Sequence, residues 1–302
     1  MRDILIIGSG PAGLSAAIYA KRANSDVLIA EKEYMGTGQI AESTRVDNYI
    51  GLVGKSGYEL GELFRSDAEN SGAEFLEVEV TSLFRRNNFW VAILSDGGEI
   101  EARAVIYAAG ASHRRLNVSG EERFIGNGVS FCALCDGAFY RGKNVAVIGG
   151  GDTAVDDALY LADIAEKVYL IHRRSEFRAA SGSVRKAQSK PNIEIIIPAN
   201  VTEIIGGSHV EKICLDNGCE LPVDGVFTAI GMTPQTGLLK GIADIDEQGY
   251  IIADETGITS AAGLFAAGDV RTKKLRQVIT AASDGANAAV SAVEYLREYF
   301  DK

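Results

Sequence analysis

Cysteine is scarce in this chain. Four residues in 302 cannot frame a disulfide-stapled domain. Histidine is scarcer still, with three in all, which leaves little to complete a zinc site around any cysteine pair. Positive charge is in deficit: 30 Lys and Arg stand against 41 Asp and Glu, a net charge of −11. A surface of that sign repels phosphates, which argues against nucleic acid and acidic lipid as main partners. No apolar run approaches the roughly 18 residues that cross a bilayer. The first apolar run, Ile4–Ile7, lies so close to Met1 that no secretory leader is expected, and a cytoplasmic protein is the expectation. Proline is rare too, five against 34 glycines, which suits tight strand-to-helix turns and not a linker-rich chain. The composition, 46% hydrophobic and 24% charged, is that of a globular chain with large cores, and the length suits about two domains.

What is present is a repeated unit. DILIIGSGPAGLSAAIYAKRANSDVLIAEKE (Asp3–Glu33) and NVAVIGGGDTAVDDALYLADIAEKVYLIHRR (Asn144–Arg174) align without a gap at an offset of 141. Each holds an apolar run, a glycine turn, an apolar-periodic helix and a second apolar run, the pattern of a β-α-β unit. Gly8, Gly10 and Gly13, with Pro11 and Ala12 between them, match G-x-G-x-x-G. Gly149, Gly151, Asp152, Thr153 and Ala154 match its G-x-G-x-x-A variant. One such string is weak evidence, whereas two in register, each between a strand and a helix, are strong. The first glycine permits the turn, the second lets backbone approach a pyrophosphate, and the third position must be small for helix-strand packing. Amides at the helix start, backed by the helix dipole, then hold phosphate.

The end of the second strand separates the two sites. Glu31 stands there in the first copy and His172 in the second, followed by Arg173, Arg174 and Arg178. A carboxylate accepts hydrogen bonds from ribose hydroxyls but repels a 2′-phosphate, which guanidinium forks bind. The first site therefore suits an adenosine without that phosphate, such as FAD, and the second suits NADPH over NADH. Two later apolar runs, Ala104–Gly110 and Gly225–Gly231, repeat the glycine ending. A third, Gly263–Asp269, ends in a Gly-Asp pair whose Asp269 can bond a cofactor hydroxyl.

Two of the cysteines form Cys132-Ala133-Leu134-Cys135. In a reducing compartment such a pair is a redox centre or half of a metal site. Zinc would need two more ligands, and the distant Cys214 and Cys219, with four residues between them, have an unhelpful spacing. They read instead as half-buried positions on a β-hairpin turning at Asp216-Asn217-Gly218. No metal is expected.

Together these motifs resemble the low-molecular-weight thioredoxin reductases, a branch of the two-dinucleotide-binding flavoprotein disulfide reductases. The likeness spans essentially the whole chain: GSGPAG at Gly8–Gly13, GQI at Gly38–Ile40 with Asn48 following, CALCD at Cys132–Asp136, GGGDTA at Gly149–Ala154, HRRSEFR at His172–Arg178 and GDVRTKKLRQVITAASDGA at Gly268–Ala286. The C-x-x-C-D directly before the second glycine motif is the most specific element. The resemblance implies two Rossmann-like α/β domains, the second inserted in the first. An FAD domain of 1–113 and 242–302 would enclose an NADPH domain of 114–241 carrying the cysteines. It adds Gly38, Gln39, Asn48, Asp269, Arg276, Gln277 and Val278 as flavin contacts.

It also implies an NADPH-dependent reductase of thioredoxin or a thioredoxin-like protein, acting as a homodimer. Electrons would pass from NADPH through FAD to the Cys132–Cys135 disulfide. In that scheme Cys135 faces the flavin, Cys132 attacks the substrate disulfide and Asp136 handles thiol protons. The inserted domain would rotate on linkers near His113–Arg115 and Leu239–Ile245. Departures from the family pattern are Leu134 between the cysteines, Ile50 where Pro is common, and Asp156-Asp157 in place of Glu-Glu; none touches the cysteines or arginines. Other readings stay open: a reductase of another disulfide protein, a thiol oxidase, a ferredoxin-fed enzyme, or a flavin redox sensor without turnover.

Overall fold

The computed structural model describes residues 1–33, 38–43 and 45–300. The chain divides into two units, Met1–Ser112 with Thr233–Lys302, and His113–Met232. The first opens with β1 (Arg2–Ile7), α1 (Pro11–Arg22) and β2 (Val27–Glu31). α2 (Gly57–Asn70), β3 (Glu74–Glu77), β4 (Val80–Arg86), β5 (Phe89–Leu94) and β6 (Glu99–Tyr107) follow. The sheet order is β3-β2-β1-β6-β5-β4, parallel through β6 and antiparallel beyond it. Ile4, Leu5, Ile6 and Ile7 are all buried, as befits a parallel strand covered on both faces. Ala12, Ala16, Ala17 and Ala20 bury the inner face of α1 with little bulk.

The chain leaves this unit through β7 (Ala111–His113). The second unit contains β8 (Val129–Ser130), α3 (Ala133–Asp136), β9 (Asn144–Ile148), α4 (Asp152–Ala162), β10 (Lys167–Ile171), α5 (Ser181–Ser189) and β11 (Ile193–Ile196). It continues with β12 (Val201–Gly206), β13 (Val210–Leu215), β14 (Glu220–Pro222) and β15 (Gly225–Thr228). Its main sheet, ordered β11-β10-β9-β15-β8, is wholly parallel, and β12-β13-β14 form a separate antiparallel sheet. The repeat is thus realised strand for strand. β9, α4 and β10 occupy the places of β1, α1 and β2, and β15 lies beside β9 as β6 lies beside β1. The expected hairpin joins β13 to β14, with Cys214 half-buried and Cys219 exposed.

The return runs through β16 (Met232–Pro234), which pairs with β7. The two crossings thus form a ribbon, with Arg114 N–H donating to Gly231 O on one side and Gln235 N–H to Gly110 O on the other. The second crossing falls at 232/233, ahead of the expected 241/242. The reason is packing. Leu239 and Ala243 are buried in a core with Leu5, Tyr107 and Ile251, and Leu238, Ile242 and Ile245 pack against it, so this segment belongs to the first unit.

β17 (Leu264–Ala266) then pairs parallel with β6, and α6 (Val278–Tyr299) packs along α1. Gly285 sets that approach: a Cβ there would stand 2.0 Å from Ala12 O. Gly285→Ala must push two helices apart, and it is expected to destabilise the protein by about 2 kcal/mol. Urea melts check this, and an unchanged midpoint would contradict it. Among the described residues no helix is long and apolar enough to cross a membrane.

Candidate redox and nucleotide sites

In the first unit the glycine turn follows β1. Gly8 has φ +107, and a Cβ on it would meet Ala108 O at 2.5 Å; one on Gly13 would meet Gly8 O at 1.9 Å. Helix α1 starts at Gly10 and Pro11 with no side-chain cap and no acidic residue in its first turn. Its leading amides are therefore left for a ligand. Ala12 is buried and abuts Gly268, the turn that presents Asp269.

The expected flavin contacts converge here. Gly38 approaches Gly10, and Gln39 donates to Ala111 O. Asn48 donates to Gln277 Oε1 at 2.9 Å, and Gln277 and Val278 open α6 in a capping box. Arg276 stacks on Tyr250 and reaches Asp269 O at 3.4 Å. Asp269 Oδ1 is buried without a partner among the described residues. Burial pushes this carboxyl up from its ordinary value, with Lys273 and Arg276 opposing. An unpartnered buried oxygen beside an uncapped helix start fits a hydroxyl-bearing dinucleotide.

Two features of this unit escaped the sequence. Glu31 is buried, and both of its oxygens accept from Arg65 Nη1, at 2.7 and 2.8 Å. Each oxygen keeps a lone pair for a ribose hydroxyl. Arg65 stacks over Phe75 and holds Glu69 as well. Its one signal was a charged residue in helical spacing with the apolar-face positions Gly61 and Ala68. The second feature is a buried cluster under the Gly268 turn. Asp284 accepts from Gly268 N–H, from Arg271 at 2.6 and 2.9 Å, and from Lys273 at 2.8 Å.

In the second unit the turn after β9 is built alike. Gly149 has φ +158, and a Cβ there would meet Ala229 O at 2.3 Å. A Cβ on Gly151 would meet nothing within 4 Å, so the cradle is open where phosphate would lie. Thr153 is exposed and Ala154 buried, while Asp152 Oδ1 accepts from Ala180 N–H at 2.8 Å. His172 sits differently from the arginines expected to act with it. Its ring is buried against Gly150 and stacked on Phe177. Desolvation lowers its pKa, a hydrogen bond with the Glu176 backbone opposes that, and nearby Arg178, Arg174 and Arg173 lower it further. Arg173, Arg174 and Arg178 are exposed and have no ion pair among the described residues. An unpaired cationic cluster beside a nucleotide cradle fits a ligand with an extra phosphate.

On α4, burial first and then the Asp156 carboxylate push Asp157 up to about 7. Unfolded, it titrates near 4. The folded state therefore binds more protons between those values, and stability falls as pH rises from about 4 to about 7. Asp157→Asn is expected to remove that slope. Urea midpoints near pH 5 and pH 8 would show it; the same slope in both proteins would contradict it.

Cys132 and Cys135 form a disulfide with Cα atoms 5.3 Å apart. Cys132 caps α3 and accepts from Cys135 N–H at 3.1 Å, while Leu134 faces solvent. Asp136 is desolvated, which raises its pKa, and a hydrogen bond from Ser130 opposes the shift. Ser130, which donates to Asp136, is a third feature the sequence reading missed, and no spacing signal marks it.

Twin nucleotide folds, with a vicinal disulfide closed just ahead of the second, define a two-domain disulfide oxidoreductase. Comparisons with known proteins agree. Residues 2–285 match the family described as pyridine nucleotide-disulphide oxidoreductase. The thioredoxin reductase of Treponema pallidum is 42% identical over 300 residues, covering 97% of each chain. That of Listeria innocua is 39% identical over 302 residues, covering 98% of this chain and 94% of its own. The crystal structure of the Streptococcus pyogenes thioredoxin reductase matches with a TM-score of 0.94 at 39% identity, covering 99% of both chains. The chain belongs to the pyridine nucleotide-disulphide oxidoreductase family. Membership implies a flavin and a pyridine nucleotide, and an enzyme that exchanges electrons with disulfides.

Proposed function

We propose that this protein is an NADPH-dependent thioredoxin reductase that uses FAD. The observation that carries the reading is the Cys132–Cys135 disulfide set within the second nucleotide unit. The relatives named thioredoxin reductases support it along nearly the whole chain. FAD, when bound, supplies the step a thiol pair cannot perform alone, taking a hydride from reduced nicotinamide and passing two electrons to a disulfide. Glu31 and Asp269 would hold its hydroxyl groups, and the α1 amides its pyrophosphate. Gly38, Gln39, Asn48, Arg276, Gln277 and Val278 would complete that site. The second cradle, from Gly149 to Ala154, would take NADPH, with Arg173, Arg174 and Arg178 on its 2′-phosphate.

By likeness to the family, Cys132 is the sulfur that meets the partner. As a thiolate it attacks one sulfur of the partner's disulfide, whose other sulfur leaves with the bonding pair and takes a proton. Cys135 then attacks Cys132 Sγ, which re-forms the internal disulfide and releases the second partner sulfur. An ionised Asp136 would raise a thiol pKa, so its part lies in moving protons as the thiols react. The inserted unit, 113–232, would turn on the β7–β16 ribbon. Likeness to the family supports a homodimer. A reducing cytoplasm suits the free thiols of Cys214 and Cys219.

The unpaired arginines favour NADPH as donor over a ferredoxin. The test offers the flavin-loaded protein NADPH and thioredoxin or glutaredoxin from the same cell, and follows nicotinamide absorbance. Rapid loss with thioredoxin alone is the expected result. Loss with glutaredoxin alone would move the partner. Oxygen uptake with dithiols and no NADPH would show a thiol oxidase, and no turnover with any disulfide would leave a sensor.

A further inference from the structure

The Ser130 hydroxyl makes two contacts at the redox turn. It donates to Asp136 Oδ2 at 2.6 Å and accepts from Cys132 N–H at 3.1 Å. A third group, the Cys132 carbonyl oxygen, lies 3.4 Å away. Ser130 is only 5% exposed, so protein groups, not water, decide where its proton points. A hydroxyl has one proton and two lone pairs. While Asp136 is ionised, the proton points at Oδ2 and one lone pair receives Cys132 N–H. Once Asp136 is protonated it donates to Ser130 Oγ, and the hydroxyl proton turns to the Cys132 carbonyl. Every polar group keeps a partner in both states, and no heavy atom has to move.

We propose that Ser130 is a positioning residue of the redox turn: its hydroxyl holds Asp136 against the Cys132 backbone in both protonation states, ready to lend and recover a thiol proton. This rests on the reading of Asp136 as the group that handles that proton. The exchange balances as follows. Cys132, having lost its proton to water, attacks the partner's disulfide, and protonated Asp136 gives its proton to the departing sulfur. Asp136 then takes the proton of Cys135, whose thiolate closes the internal disulfide as the second partner sulfur leaves and is protonated by water. Two electrons pass to the partner, and Asp136 ends as it began. The other titratable groups on the neighbouring elements are Tyr140 on the turn after α3, Asp152, Asp156, Asp157 and Tyr160 on α4, and Asp224 before β15. Of these, Tyr140 has its hydroxyl pushed up to about 12 by burial first and then by the Asp136 and Asp224 charges. Burial of Asp136 itself favours its protonated form.

The test reads the thiols and not turnover alone. The flavin-loaded protein is reduced with a dithiol, and iodoacetamide alkylation of Cys132 is followed by mass spectrometry across a pH series. Asp136→Asn shows which inflection of that profile belongs to the carboxyl. Ser130→Ala is expected to move it up by about one pH unit or more, because the ionised carboxylate loses a charge-assisted bond. Ser130→Thr keeps the hydroxyl and is expected to restore it. If Ser130→Ala does not fold, Ser130→Cys, a weaker donor of similar size, takes its place with the same expected direction. An unmoved inflection, or one that threonine fails to restore, overturns the positioning role and leaves Asp136 in place. A profile that Asp136→Asn does not change overturns both.

Discussion

Cys132→Ser is expected to leave a folded, flavin-binding protein whose disulfide reduction has fallen by about a thousandfold or more. Serine is a favoured helix cap, so the turn that Cys132 closes over Cys135 N–H should survive the change. The chemistry does not survive it. A serine hydroxyl is not ionised at neutral pH, cannot attack a disulfide at a useful rate and cannot close a bond to Cys135. None of the groups assigned to the first unit's cofactor lies near residue 132 in the chain. The variant should therefore still bind FAD and still lose its yellow colour when mixed with NADPH. Stopped-flow absorbance and a thioredoxin-coupled assay separate the two halves of the reaction. A variant that still reduced disulfides would show that the pair is not the redox centre.

The second large effect concerns the choice of nicotinamide. Replacing Arg173 and Arg174 together by alanine removes two exposed guanidinium groups that have no ion pair to lose among the described residues. Stability should hardly change. Each charge-assisted bond to a 2′-phosphate is worth roughly 1.5–3 kcal/mol. Because both groups face solvent, the lower end applies, about 3 kcal/mol for the pair, or roughly a hundredfold in kcat/KM for NADPH. NADH, which lacks that phosphate, should change by less than about threefold. The parent's preference for NADPH should also shrink as salt is added. Equal losses with both cofactors would make the arginines structural.

The two folds were legible because their signals are local. A glycine turn needs a few adjacent residues, and an apolar run followed by a helical period needs about thirty. Doubling at a constant offset removed the ambiguity that one copy would have carried. The cysteine pair was legible for the same reason. The features missed depend on partners the sequence does not place together. Arg65 reaches Glu31 across 34 positions, and Asp284 gathers Arg271 and Lys273 from the loop before α6. The second crossing is not marked in the sequence because Leu238–Ile245 carries no strand or helix period. Its place in the first core is set wholly by tertiary packing. His172 adjoins the arginines in sequence, but its side chain alternates inward and fills the space that Gly150 leaves.

In the proposed function, two cradles of one pattern take a flavin and a reduced nicotinamide and deliver electrons to Cys132–Cys135. An anaerobic titration of the gently purified protein with NADPH, followed in the visible spectrum and by thiol counting, tests it most directly. The protein is expected to be yellow, to bleach as NADPH is added and to gain two alkylatable thiols, which peptide mapping places at Cys132 and Cys135. A protein that is colourless, takes up no FAD, or bleaches without opening that disulfide would contradict it.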